Sequence, residues 1–123
     1  MTKDKDKTEF AIRRIVASRK PLFDGISERQ IEILCDIATT EGEYNKTNSD
    51  IARMCRYLTF HKGVKQALNG LERRGLINRI YISDEKGYVK RIIKLAKGFA
   101  YAVEMKAKED EDGTRKENLV NGI

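Results

Sequence analysis

Residues 47–95 read TNSDIARMCRYLTFHKGVKQALNGLERRGLINRIYISDEKGYVKRIIKL, and the period of their apolar positions changes at Gly75. Before Gly75 the spacing is helical. Ile51, Cys55 and Leu58 form one stripe, and Val64, Leu68 and Leu71, at i, i+4 and i+7, form another. Thr47 with Asp50 three residues on has the pattern of a capping box, with Asn48 as an alternative cap. Thr59 interrupts the run and can cap the second helix. Gly75 stands where a helix end favours a left-handed residue. Beyond it the period falls to about two. LINRIYIS and YVKRIIKL are rich in β-branched and aromatic residues and flank the turn sequence DEKG, which predicts a hairpin with a charged tip.

Working toward the N-terminus, Ser27 and Gln30 form a second capping-box pattern, with Ile26 and Ile31 at the spacing of a hydrophobic staple. Ile31, Leu34, Cys35 and Ala38 then mark one face of a helix, and residues 39–42 close it. Residues 45–47 could add a very short strand. Ile12, Ile15 and Val16 predict a helix over 8–20, ended by Pro21. Residues 1–7 alternate Lys and Asp after Met-Thr and read as a disordered arm. Toward the C-terminus, Ala96, Phe99, Ala100, Val103 and Ala107 predict a helix over 96–108. Residues 109–123 read as a loose tail.

The chain has 123 residues, enough for one domain with one modest core. It contains no apolar run long enough for a membrane helix and no apolar segment of a secretory signal at the start. Two cysteines and one histidine make a four-ligand zinc site impossible without carboxylates, and they argue against a disulfide scaffold. This inventory fits a reducing, cytoplasmic compartment. No Ser-His-Asp set, phosphate-cradling glycine loop or oriented Cys-His pair is present, so neither an enzyme nor a cofactor is expected.

The net charge is +6, and its distribution is regional. Residues 53–97 hold twelve Lys and Arg against Glu72, Asp84 and Glu85, a net of +9, so the rest of the chain nets −3. A concentrated basic stretch over a helix and a hairpin is the electrostatic footprint of a polyanion partner.

Helices followed by a basic helix and then a basic hairpin make a winged helix-turn-helix, an α+β and mostly α fold. The core would span 21–95. Residues 47–77 resemble the DNA-binding core of MarR-type transcriptional regulators: Thr47, Asp50, Ile51 and Ala52 match the start of one helix. Leu71, Gly75, Leu76 and Ile77 match the end of the recognition helix. IIKLAKGFAYAVEM, residues 92–105, looks like the last strand of that family running into its dimerisation helix. The resemblance covers roughly residues 27–105. Two features depart from the family pattern. The link between the two helices is about two residues longer, and the hairpin tip lacks the arginine that enters the minor groove in typical members.

The resemblance implies a sequence-specific regulator of double-stranded DNA in the cytoplasm, associated with the nucleoid. It places the recognition helix, about 60–74, in the major groove and the wing, 77–95, on the backbone. Lys62, Lys65, Gln66 and Asn69 share the face opposite the apolar stripe and are the candidate base readers. Arg53, Arg56, Thr59, His61, Arg73, Arg79, Lys86, Lys90 and Arg91 are candidate backbone contacts. Tyr81 and Tyr88 could bond phosphates or cover the sheet. Gly63 and Gly70 are expected to allow close packing against the preceding helix. The terminal helices, through Phe10, Ile12, Ile15, Val16, Phe99 and Val103, are expected to form a homodimer that reads an inverted repeat. Cys35 and Cys55 are expected as small buried hydrophobes rather than redox sensors. No effector pocket is legible. The competing reading is a winged helix that binds protein within a transcription or replication assembly.

Overall fold

In a computed structural model, residues 5–18, 21–55 and 61–121 are described; for 61, 62 and 110–121 this extends to the backbone alone. The elements are α1 (Lys5–Val16), a 3-10 turn (Pro21–Phe23), α2 (Glu28–Thr39), α3 (Asn48–Met54), α4 (His61–Arg73), β1 (Ile77–Ser83), β2 (Val89–Leu95) and α5 (Lys97–Asn121). The two strands form an antiparallel hairpin with Ile77 opposite Leu95 and Ser83 opposite Val89. In place of a short strand at 45–47 there is a single bridge, in which the Ile93 N–H donates to the Tyr44 carbonyl at 2.9 Å.

Local chemistry sets the element ends. Both expected capping boxes form. The Gln30 N–H donates to Ser27 Oγ at 3.1 Å while the Ser27 N–H donates to Gln30 Oε1 at 3.0 Å. The Asp50 N–H donates to Thr47 Oγ1 at 3.2 Å, and the Thr47 N–H to Asp50 Oδ2 at 3.0 Å. Each box satisfies two backbone donors that a helix start otherwise leaves open. At the end of α4, Gly75 takes φ 74°. The Leu76 N–H bonds the Leu71 carbonyl at 3.1 Å, and the Gly75 N–H bonds the Glu72 carbonyl at 2.9 Å. This is a Schellman motif, and the Leu71 and Leu76 side chains that flank it are buried.

Two helices differ in extent from the sequence reading. α1 starts at Lys5 and stops at Val16, short of Lys20. Ser18 Oγ donates to the Ile15 carbonyl at 2.6 Å, so a side chain takes an acceptor that a longer helix would use. α5 continues to Asn121, through residues 109–121 that read as a tail. The good helix formers of this segment are Glu109, Glu111, Arg115, Lys116, Glu117 and Leu119; it holds no alanine and carries Gly113.

α2 lies at the centre, packed by α1, α4 and β2. Ile33 and Ile37 are therefore buried along with Ile31, Leu34 and Ala38, while Cys35 is only partly covered. One expected stripe became a helix covered on most of its circumference, because three elements pack on it. Val64, Ala67, Leu68 and Leu71 of α4 complete the core with Ile51, Cys55, Leu76, Ile77 and Ile93. Gly70 does serve close packing, but against α2. A Cβ there would stand 2.6 Å from Gln30 Nε2, which donates to the Ala67 carbonyl at 3.2 Å.

The terminal helices pack on each other within one chain, and this corrects part of the expected dimer surface. Ile12, Phe99 and Val103 are buried in the protomer's own core, with Phe23 and Phe99 rings 6.2 Å apart. Ile15 and Val16 are partly buried against the same core, whereas Phe10 is 55% exposed.

Gly75→Ala places a Cβ on a left-handed residue and is expected to destabilise the fold by roughly 1–2 kcal/mol. Urea unfolding of the two proteins checks this, with a lower midpoint at unchanged slope as the expected result.

Candidate nucleic-acid interface

The apolar stripe of α4 is fully buried, and the same helix periodicity turns its other side outward. Lys65, Gln66 and Arg73 are exposed there and Asn69 is half-buried. The backbone of Lys62 and His61 opens the same helix. Among the described residues, Lys65, Arg73 and Lys86 have no ion-pair partner. Arg56 and Thr59 lie outside the described residues.

Other predicted contact residues already have protein partners. Arg79 forms a fork with Glu72, Nε to Oε2 at 2.9 Å and Nη2 to Oε1 at 3.2 Å, and its side chain is only 18% exposed. The Arg79 N–H also donates to Glu72 Oε2, at 3.2 Å. This arginine fastens the root of the hairpin to the last turn of α4. Arg91 donates to Asn48 Oδ1 at 2.6 Å and to the Lys46 carbonyl at 2.7 Å, which ties the wing to the start of α3. Arg53 pairs with Asp50 at 2.6 Å, and Lys90 with Glu43 at 2.6 Å, both on the surface. Surface pairs of this kind contribute about 0–1 kcal/mol and exchange partners easily. Arg79 and Arg91 are different: their forks are partly buried and position the wing. No local pattern signals these pairings, since Glu72 and Arg79 meet only because the chain turns at Gly75.

The tip is held by Asp84. Its Oδ1 accepts from the Lys86 N–H and from the Tyr88 N–H, each at 2.9 Å, and Gly87 supplies the left-handed residue at φ 87°. Tyr88 is 73% exposed and Tyr81 61%. A groove of about 540 Å³ lies between the start of α3 and β2, lined by Lys46, Thr47, Asn48, Ser49, Lys90 and Arg91 among others. Sequence reasoning passed over Lys46. It pairs with Asp36 at 2.8 Å, and Asp36 also accepts from the Tyr44 hydroxyl at 2.6 Å, so Lys46 joins the groove to α2.

Burial, with some help from nearby carboxylates, pushes the Cys35 thiol up to about 12 and the Cys55 thiol to about 11. At neutral pH both remain thiols, which are poor nucleophiles. Among the described residues no group of three or more His, Cys, Asp or Glu is arranged to hold a metal ion. No helix among them is long and apolar enough to cross a membrane.

Helices packed around a core, a terminal helix pair and a two-stranded wing after the basic helix define the winged helix-turn-helix fold. The chain is similar to the crystal structure of a mutant of MepR, from a multidrug-resistant clinical isolate of S. aureus. The match has a TM-score of 0.51 and 24% identity, and covers 91% of this chain and 92% of the other. MepR is a MarR-family winged-helix regulator, and the likeness shows a shared fold. No family model matches the chain, and no curated protein matches it.

The Arg79 guanidinium holds the Glu72 carboxyl below the usual carboxylate range. Stability from a lowered carboxyl is present above the unfolded pKa of ~4.3 and is lost as pH falls through the folded value. Urea midpoints are therefore expected to drop on acidification below about pH 5, and Glu72→Gln to drop less. Thiol titration with a disulfide reagent at neutral pH is expected to be slow in the native protein and complete within mixing in denaturant.

Proposed function

We propose that this chain is a sequence-reading regulator of double-stranded DNA. The observation that carries the reading is the exposed polar face of α4, with Lys65, Gln66, Asn69 and Arg73 opposite a fully buried stripe. An α-helix fits the B-DNA major groove, and glutamine and asparagine pair bidentately with adenine there. In this reading Lys62, Lys65, Gln66 and Asn69 contact bases. Arg73, Lys86, the exposed surface cations Arg53 and Lys90, and also Arg56, Thr59 and His61 contact phosphates. Arg79 and Arg91 act by holding the wing in place. The resemblance in fold to MepR supports a regulator, and the regional positive charge supports DNA as its partner.

The regulator acts as a homodimer on an inverted repeat in the cytoplasm, associated with the nucleoid. Its dimer seam is formed by the outer sides of α1 and α5, where Phe10, Tyr101 and Met105 stand exposed beside the partly buried Ile15 and Val16. Two half-sites are then about 34 Å apart or a multiple of this.

Selection from a random duplex pool tests the reading. Enrichment of an inverted repeat is expected, and no retention would transfer the protein-partner reading to first place. On the selected duplex, affinity is expected to fall by about 10³–10⁵ between 50 and 200 mM salt if roughly 6–10 phosphates are neutralised. Lys65→Ala and Gln66→Ala are each expected to cost ~1–3 kcal/mol and to relax preference at particular bases. Lys86→Ala is expected to weaken all sequences alike.

A further inference from the structure

Arg91 is a cation without a counter-charge. Its Nη1 donates to Asn48 Oδ1 at 2.6 Å and its Nη2 to the Lys46 carbonyl at 2.7 Å, and both acceptors are neutral. Among the described residues no Asp or Glu forms an ion pair with it. Its bonds are part-buried, so the side chain loses water on one side and gains no opposite charge there. Holding a half-buried charge in this way is unfavourable, and a bound anion would offset the cost. Other arginines differ. Arg13, Arg53 and Arg79 each face a carboxylate. Arg74 is also held by carbonyls, but its bonds are exposed, where the high dielectric of water weakens the charge.

Arg91 lines the groove of about 540 Å³ between the start of α3 and β2. Lys46 and Lys90 line it as well, but each has its own carboxylate, Asp36 at 2.8 Å and Glu43 at 2.6 Å. Asp50, in the first turn of α3, pairs with Arg53. These pairs cancel, so the uncompensated charge of the groove is that of Arg91. Among the described residues that line it, Val89 alone is apolar, and the rest are amide, hydroxyl or cationic side chains. Walls of this kind suit a compact oxyanion and offer little to an apolar ligand.

We propose that this groove seats one phosphate of the DNA backbone, with the Arg91 guanidinium as its fixed ligand. The proposal rests on the DNA reading, and it gives Arg91 a role beyond holding the wing. A guanidinium carries N–H donors on every nitrogen. Arg91 uses Nη1 and Nη2 hydrogens on Asn48 and Lys46, and its remaining N–H groups are left for phosphate oxygens. The fork is already held before DNA arrives, so little side-chain freedom is lost on binding. In a helix-turn-helix the first helix crosses the backbone while the second reads bases. The groove opens where α3, the first of the two, begins. A phosphate seated there fixes the register that sets Lys65 and Gln66 over particular bases.

Asn48→Asp tests this without untying the wing. The carboxylate keeps an acceptor where Asn48 Oδ1 stands, and an acid in the first turn of a helix is favourable. It also supplies the counter-charge that Arg91 lacks. The variant is expected to unfold in urea at the same midpoint or a higher one. On the duplex enriched from the random pool, its affinity is expected to fall by on the order of tenfold, and its salt slope to shrink by about 0.9. Scanning that duplex with single methylphosphonate linkages, each of which removes one negative charge, locates the contact. With the unaltered chain, neutralising one particular linkage is expected to weaken binding. That penalty is expected to vanish in Asn48→Asp and equally in Arg91→Gln, and either variant decides the question by itself. A penalty that survives at every linkage overturns the proposal and leaves the DNA reading standing, since added repulsion alone weakens binding without changing the pattern. A chain that retains no duplex removes the DNA reading and this site with it.

Discussion

The turn between α4 and β1 is the constraint on which the candidate interface depends. Gly75 takes a left-handed conformation that an L side chain adopts only at a cost of about 1–2 kcal/mol. Its Schellman bonds satisfy α4 carbonyls, and Leu71 and Leu76 bury beside them. The chain then leaves the helix in one direction, and the fork between Glu72 and Arg79 holds the hairpin there. Without this corner the basic helix and the basic hairpin would still form as patterns, but they would not share a surface.

The rest of the molecule supports that corner from behind. α2 presents Ile33, Leu34 and Ile37 to its neighbours, and Gln30 both closes its own capping box and reaches the Ala67 carbonyl of α4. Arg74 donates to the Leu22 and Asp24 carbonyls at 2.6 and 2.7 Å, which anchors the end of α4 to the segment before α2. Arg13 forks onto Glu28 at 3.0 and 2.6 Å and joins α1 to the first turn of α2. Guanidinium groups do this joining because one planar fork can serve two acceptors at once. A chain with excess positive charge thus uses several of its arginines internally and leaves the outward face of α4 chiefly to lysine and amide side chains.

That division changes how the charge should be read. Twelve basic residues in one window suggest a uniform electrostatic surface. Arg74, Arg79 and Arg91 are instead bound to backbone and side-chain acceptors within the protein. Of the described cations in this window, Lys65 and Arg73 on α4, Lys86 at the hairpin tip, Lys94 on β2 and Lys97 at the start of α5 have no ion-pair partner. The wing beyond its root is as much apolar as basic, with Tyr81, Ile82, Tyr88 and Val89 all exposed.

Local physics made much of this legible in the sequence. Capping boxes at Ser27 and Thr47, the glycine stop at Gly75, the change of period after it and the inward stripe of α4 are each decided within a few residues. The same periodicity placed Lys65 and Gln66 on an outward face. Tertiary packing decided what depends on residues far apart in the chain. It buried Ile12, Phe99 and Val103 inside one protomer, because α1 and α5 cover each other before any second copy is present. It also assigned Arg79 to Glu72 and Arg91 to Asn48 and Lys46. A sequence shows that a charge exists, but only the folded chain shows which opposite charge or carbonyl comes within hydrogen-bond reach.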